Sequence, residues 1–587
     1  DMIISSIGTI ILLQLLFLAT FRKLLLFPVA LMPAVVGALV GFGVFALTGR
    51  SLSPPTAVLG ALLAGMGIDY AIHYLAHTTA GEPLPQVNRR LSRPLIIACV
   101  TSVIAMLTLI ASDVSALRDF ATIGAVGLAA TLVASLMLLP ALLKVLARGT
   151  SDRSTTFAST RWAADGLIPL VIKRPKIAYL FAGLTACAAV LVLALHPGGP
   201  IHFDRDLGNM HPQPNAPLQT QQAIAEAFEG QGETLMLYLT ADREEALISQ
   251  AARCRERLRT DPQTSLFVAG SFGIDMLVPS KQQLKTSHAF AETIDATHAQ
   301  TTFDEAVNNS IFNPEAFADY RKALGDLLRP GDGPTLSTLS AYPELSFGLL
   351  PRDTTSTDLS AAEEYEAVSF VSVSHTMQTR QQRAEVIDAI RRALTDVPGV
   401  TLTGLTVVGH DVETQVRYEL PRLLGIAGLA AFLWIGLCYR SVRDLMLAFL
   451  PVILGLIVTF AVMRATGIGL NLLNLVALPL LIGLGIDDGV FMVSIARECR
   501  RRKQSRVELF NQLASSAQAI TLTTITTTLA FGSLTLTAVP AMQALGVVMA
   551  IGMVACWAVT VGLLAPLLIH RATPIQDATP TNTGSMA

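Results

Sequence analysis

Two stretches of the chain, GMGIDYAIHY at residues 65–74 and GLGIDDGVFM at residues 483–492, place an aspartate in the same glycine frame. Each aspartate, Asp69 and Asp487, lies inside a long apolar run. An ionised carboxylate in hydrocarbon costs about 2.5–3.5 kcal/mol on insertion scales. A charge carried twice at that cost, in matched frames, points to an internal repeat with a working carboxylate at the centre of each half.

The apolar runs are membrane-like. The 587-residue chain is 52% hydrophobic and only 15% charged, and aromatics make up 6%. Its mean hydropathy is +0.53. These values exclude an ordinary water-soluble enzyme and fit membrane helices rich in small residues. The formal net charge of -2 gives no support for a nucleic-acid partner. Cys99, Cys187, Cys254, Cys438, Cys499 and Cys556 show no CxxC or Cys/His metal spacing, and only Cys254 lies in a polar segment. No nucleotide loop, metal cluster or catalytic triad is readable, so no enzyme and no cofactor are expected.

Eleven runs are long enough to span a bilayer: about 2–20, 24–48, 54–77, 94–112, 117–144, 176–196, 420–438, 445–466, 470–493, 514–537 and 541–569. Arg22 and Lys23, Arg89, Arg90 and Arg93, Lys144 and Arg148, Lys173, Arg174 and Lys176, Arg440 and Arg443, Arg497 to Lys503, and Arg571 all fall on one side if every run crosses once. The positive-inside rule makes that side the cytoplasm and puts the polar segment 197–419 in the periplasm. The expected fold is a mostly α polytopic membrane protein with a parallel internal repeat, carrying one periplasmic α+β domain.

The expected domains are a first bundle of five helices (1–147), a cytoplasmic linker (148–175), the first helix of the second half (176–196), the periplasmic domain (197–419), a second five-helix bundle (420–571) and a cytoplasmic tail (572–587). Within 197–419, strands TLMLYLTA at 234–241 and SLFVAGSFG from Ser265 flank a helix at 243–259. Strands SFVSVSH at 369–375 and LTGLTVVGH from Leu402 flank another at 379–395. Two small α+β halves around a helical insertion at 280–328 are predicted. The second half owns a leading helix and an outer domain that the first half lacks. Symmetry therefore predicts twelve helices and two such domains in the intact protein, with the missing pair ahead of Asp1.

Asp69, His73 and His77 share one helical face at i, i+4 and i+8. That alignment reads as a proton path with imidazole steps, though an interfacial His77 also serves as a cap. Asp487 and Asp488 differ by about 100° around their helix, so they point differently. Gly65, Gly67, Gly483, Gly485 and Gly489 let helices approach closely. The run TLTTITTTLAFGSLTL, 521–536, brings Thr524, Thr527 and Thr528 forward as hydroxyl relays beside Asp487. The matching first-half helix holds Thr101, Ser102 and Thr108. Hydroxyls that merely bond the i−4 carbonyl remain the alternative. For the carboxylates the alternative is polar packing between helices, yet no Lys or Arg lies in the core of another span. Asn471 and Asn474 read as caps or gates, the arginines at 497–502 as a solvated patch, and His410 with Asp411 as a surface pair.

The duplicated plan, the large insertion after one helix and the two GxGxD motifs (Gly65, Gly67, Asp69 and Gly483, Gly485, Asp487) resemble the resistance–nodulation–division (RND) superfamily. The branch resembled is that of MmpL-like lipid transporters, including those associated with hopanoid biosynthesis, and the likeness covers essentially the whole chain. It implies a transporter of the bacterial inner membrane, driven by the proton-motive force, that exports hopanoid-like or similar apolar lipids toward the periplasm and outer membrane. Protons are then the coupling partner, and a homo-oligomer, dimeric rather than trimeric, is implied. The resemblance makes Asp69 and Asp487 the relay carboxylates, with Tyr70 and Asp488 beside them. Relatives often carry an Asp-Tyr pair in both motifs; this chain keeps Asp69-Tyr70 but has Asp487-Asp488. Alternatives on the same scaffold are an exporter of other lipids, sterols or drugs, and a non-exporting sterol-sensing or protein-translocation accessory.

Overall fold

The computed structural model describes residues 2–21, 26–51, 59–76, 84–148, 175–195, 203, 207–217, 219–220, 223, 233–328, 333–346, 348–350, 365–374, 377, 379–471 and 473–571. His77, the linker beyond Arg148 and the tail 572–587 lie outside the described residues. The chain divides into two compact units, residues 1–215 with 413–587, and residues 216–412.

The first unit is helical. Its first half contains α1 (Met2–Phe21), α2 (Leu26–Ala46), α3 (Leu59–Ala76), α4 (Leu84–Thr108) and α5 (Ser115–Arg148), followed by α6 (Pro175–Leu195). The intervening unit contributes β1 (Thr234–Ala241), α7 (Glu244–Thr260), β2 (Val268–Phe272), α8 (Lys281–Glu292), α9 (Ala296–Asn308), α10 (Ala318–Leu328), β3 (Tyr365–Val373), α11 (Arg380–Ala393) and β4 (Val400–Thr403). The second half follows with α12 (Leu405–Tyr439), α13 (Val442–Thr466), α14 (Ala477–Arg501), α15 (Arg506–Gly532) and α16 (Pro540–Val559). Beyond α16 come a π-helical turn, Thr560–Leu564, and a last helix, Ala565–His570.

Each of the eleven predicted spans contains a helix among the described residues, and eight helices among those residues are long and apolar enough to cross a membrane. Exposed apolar rows say where lipid goes. Leu429, Leu433 and Leu437 on α12, and Leu180 and Leu184 on α6, are each more than half exposed at one-turn spacing. Water would penalise such rows, whereas hydrocarbon accepts them. By contrast α14 is buried along nearly its whole length.

Three helices start earlier than their apolar runs. α4 begins at Leu84 rather than about 94, because Leu84–Arg93 continues the helix with a polar face and Pro94 is carried inside it. α15 begins at Arg506 rather than about 514, set by a capping box between Ser505 and Glu508. α12 begins at Leu405 rather than about 420. Hydropathy marks only the part in hydrocarbon and misses turns that extend beyond it.

The repeat is exact in register over two helices of each half. Asp69 and Asp487 are 418 residues apart, and the same interval links Pro33 to Pro451 inside α2 and α13. α2 packs on α3 and α5, as α13 packs on α14 and α16. Across the halves, α3 packs on α15 and α14 packs on α4.

In the second unit the four strands form one antiparallel sheet in the order β2-β3-β1-β4. The two strand–helix–strand segments therefore do not make separate halves: each strand pair is split by a strand of the other, the ferredoxin-like arrangement. Alternation along β1 sends Leu235, Leu237 and Leu239 to one face. There they share a core with Leu247, Ala251 and Leu258 of α7 and Val386, Ile387 and Ile390 of α11. β4 stops at Thr403, short of the strand expected through LTGLTVVGH. Gly404 takes φ +121°, which L side chains rarely adopt, and ends the strand there. The helix then takes over, so this unit closes near 412 rather than 419.

Candidate functional site

Asp69 and Asp487 are each held by two hydroxyls from the opposite half. Thr527 of α15 donates to one carboxylate oxygen of Asp69 at 2.8 Å, and Thr526 stands 3.0 Å from the other, its one hydroxyl proton shared with the Thr523 carbonyl at 2.7 Å. Ser102 of α4 donates to one oxygen of Asp487 at 2.9 Å, and Thr101 stands 2.9 Å from the other, its proton likewise shared with the Ala98 carbonyl at 2.5 Å. Thr101 and Thr526 are 425 residues apart, as are Ser102 and Thr527, so the two clasps are one motif repeated. Hydrogen bonds to a charged group contribute about 1.5–3 kcal/mol each. Two of them offset the cost of placing a carboxylate in the span.

The glycine frame makes these clasps reachable. A Cβ on Gly65 would stand 2.4 Å from the Ala530 Cβ of α15, and one on Gly483 2.9 Å from the Ser102 Cα of α4. Gly67 lies as close to Ala34 of α2, and Gly485 to Cys556 of α16, while a Cβ on Gly489 would meet the Ala448 carbonyl at 2.3 Å. Each glycine is a point of close approach between two helices, within one turn of a carboxylate.

The two aspartates, half-buried, border a cavity of about 30 Å³ together with Tyr70, His73, Asp488, Phe491 and Thr523. That is room for about one water molecule. Asp488 is buried, and among the described residues its Oδ2 has no hydrogen-bond partner. Tyr70 lies beside Cys99, whose thiol donates to the Leu128 carbonyl at 3.8 Å. His73 stacks on Phe491 with ring centroids 4.1 Å apart and planes 11° from parallel. Tyr70 and Asp488, and likewise His73 and Phe491, are 418 residues apart. The repeat thus meets itself around the cavity, with one acid more in the second half.

Phe491 also borders a larger cavity, about 290 Å³, toward the arginine-rich ends of α4, α14 and α15. Its walls include Arg90, Ser494, Glu498, Asn511, Gln512 and Ser515. The stacked pair His73–Phe491 thus stands beside both spaces. Nearby, Arg500 pairs with buried Asp444 at 2.8 Å, so part of the 497–502 patch anchors α14 to α13.

The threonine reading needs correction. The hydroxyls of α15 reach Asp69, not Asp487, because α15 packs on α3. Thr527 is one of them, but among the described residues Thr524 and Thr528 make no hydrogen bond through Oγ1, and Thr526 takes the second place. The 425-residue interval to Thr101 and Ser102 was the available signal. Asn471 and Asn474 cap each other's backbone N–H at 2.7 and 2.8 Å ahead of α14. His410 is buried rather than on the surface, whereas exposed Asp411 pairs with Arg391 at 2.6 Å.

Residues 249–581, more than half of the chain, match the profile of the MMPL family. The chain belongs to the MMPL family. It is a multi-pass membrane protein of the bacterial inner membrane. It is similar to the hopanoid transporter HpnN of Rhodopseudomonas palustris (strain TIE-1), 22% identical over 99% of this chain and 68% of that protein. It is also similar to the hopanoid transporter HpnN of Burkholderia multivorans, 22% identical over 89% of this chain and 61% of that one. The chain therefore spans about two thirds of the length of these relatives. Among solved structures it resembles the translocon-associated protein SecDF of Thermus thermophilus, with a TM-score of 0.54 at 13% identity, covering 97% of this chain and 62% of that one. It also resembles the hedgehog release protein Disp of the water bear Hypsibius dujardini, with a TM-score of 0.60 at 13% identity, covering 97% and 70%. Both likenesses are of the RND-type fold alone.

Proposed function

We propose that this MMPL protein uses the proton-motive force to export hopanoid-like lipids from the inner membrane toward the periplasm and outer membrane. The observation that carries the reading is the reciprocal clasp, in which each half's half-buried aspartate is held by the other half's hydroxyl pair. An ionised carboxylate only accepts hydrogen bonds, whereas a protonated one also donates. Protonating Asp69 turns one of its oxygens into a donor and weakens it as an acceptor, so the Thr526 and Thr527 bonds must rearrange or weaken. Those bonds join α3 to α15, so a proton changes the tie between halves. The same holds for Asp487 and the tie of α14 to α4. Proton binding and relative movement of the halves become one event, which is what coupled transport needs.

Asp488 and Tyr70 complete the proton site in the cavity, and His73 stacked on Phe491 separates it from the larger, cytoplasmic cavity. The hopanoid assignment rests on the two curated relatives, whose names specify that cargo. The test is lipid analysis of separated inner and outer membranes from cells carrying the wild type, Asp69→Asn or Asp487→Asn. The expected result is retention of hopanoid in the inner membrane for both variants at normal protein levels. Wild-type lipid distribution in both variants, with the proton gradient intact, would sink the proposal.

A further inference from the structure

Glu419 on α12 is 1% exposed and takes no part in the site above. Its Oε2 accepts from Ser112 Oγ at 2.5 Å, and its Oε1 from the Asp113 backbone N–H at 2.9 Å and Gln415 Nε2 at 3.0 Å. Among the described residues it makes no ion pair. The charged groups around it are Asp113 on the turn and Glu413, Arg417 and Arg422 on α12, and Glu413 and Arg417 pair with each other at 3.1 Å.

Ser112 ends a row of buried hydroxyls. Thr101, Thr108 and Ser112 follow at two turns and then one turn along one face of the chain from α4 into the 3-10 turn after it. Thr101 reaches Asp487 at 2.9 Å and Ser112 reaches Glu419 at 2.5 Å, while Thr108 between them bonds the Ala105 carbonyl at 2.6 Å; the row lines the roughly 17 Å from Glu419 to that carboxylate at ordinary helical rises. The row is repeated 425 residues on as Thr526, Ser533 and Thr537, all buried. That copy ends differently: the Thr537 hydroxyl turns back to the Leu534 carbonyl. Closing the end of such a row therefore needs no charge, and an acid stands at only one of the two.

We propose that Glu419 is the outer proton-loading group, which feeds Asp487 along the α4 hydroxyls. The inference rests on the proton-coupled reading above. A proton from outer water adds to Glu419 Oε2, which then donates to Ser112 Oγ. The Ser112 hydroxyl rotates and passes its own proton on. The two-turn step between Thr108 and Thr101 is about 10 Å, so a short file of waters must enter there to carry the proton on before Asp487 accepts. Only O–H bonds are made and broken, and one proton moves.

The experiment uses the full chain in vesicles of phosphatidylethanolamine, phosphatidylglycerol and a hopanoid, with an internal pH dye reporting proton flux under an imposed gradient. Asp487→Asn is expected to abolish flux; if it runs as wild type, the proton-coupled reading itself fails. Glu419→Gln is expected to slow flux about tenfold or more and to flatten its dependence on outer pH, with Glu419→Asp restoring that dependence. Wild-type flux in Glu419→Gln, or slow flux with an unchanged pH profile, overturns the proposal. Should Glu419→Gln fail to fold, Thr108→Val decides: slow flux at a normal melting temperature supports the row, and wild-type flux overturns it.

Discussion

Replacing Gly65 with alanine puts a methyl group 2.4 Å from the Ala530 Cβ, where ordinary contact begins at 3.4 Å. Both atoms sit directly on backbones, so α3 and α15 must separate by about 1 Å. The bonds from Thr526 and Thr527 to Asp69 start at 3.0 and 2.8 Å. An added 1 Å takes both past the range of a hydrogen bond. Their combined contribution is about 3–6 kcal/mol, a factor of 100 or more in an equilibrium. Lipid export by Gly65→Ala should therefore collapse, and its melting temperature should fall. Gly483→Ala meets Ser102 Cα at 2.9 Å and needs about half that displacement, so its loss should be smaller. Gly43→Ala, whose Cβ has nothing within 4 Å, should keep both properties. Export and melting measured on the three variants give the ranking. Equal behaviour of Gly65→Ala and Gly43→Ala would refute the claim that the glycine frame exists to bring the clasp within reach.

Thr526→Val and Thr527→Val should each reduce export about tenfold or more, with serine restoring it, while Thr524→Val and Thr528→Val should be nearly silent because no bond is lost. Phe491→Ala should join the 290 Å³ and 30 Å³ cavities and make vesicles leak protons without lipid cargo, read by collapse of a pH gradient. In the ferredoxin-like unit, burial raises the Asp275 carboxyl above its usual range, partly countered by the Arg255 guanidinium at 2.8 Å. The folded state then holds the proton more tightly than the unfolded one. The favourable contribution is fully present below the ordinary carboxylate value of about 4 and is lost as pH rises through the raised folded value. Melting curves should show wild type gaining stability relative to Asp275→Asn on acidification through that window, and no such gain if Asp275 titrates normally.

Hydropathy and the paired GxGxD frames made the spans and the repeat legible, because a bilayer imposes length and apolarity on each helix separately. The helix ends were less so: Leu84, Leu405 and Arg506 begin turns whose residues are polar, and a hydropathy scan stops before them. Asp69, Asp487 and Asp488 stood out as charges in apolar runs. Their partners did not, since a threonine-rich helix offers several faces and only packing chooses one. The interval between Thr101 and Thr526 would have chosen correctly, and it also carries Ala105 to Ala530, the two residues that meet the frame glycines. The single sheet of the second unit was hidden for another reason. Strand pairing across more than 100 residues leaves no local trace, and the pattern of each strand–helix–strand segment is the same in one sheet or two.

The most direct test of reciprocal proton coupling is simultaneous measurement of proton entry and hopanoid transfer in vesicles containing wild type, Asp69→Asn or Asp487→Asn. Protons and lipid should move together in the wild type, and either substitution alone should stop both, because each clasp ties one half to the other. Lipid transfer that continues in either variant without proton entry would contradict the account.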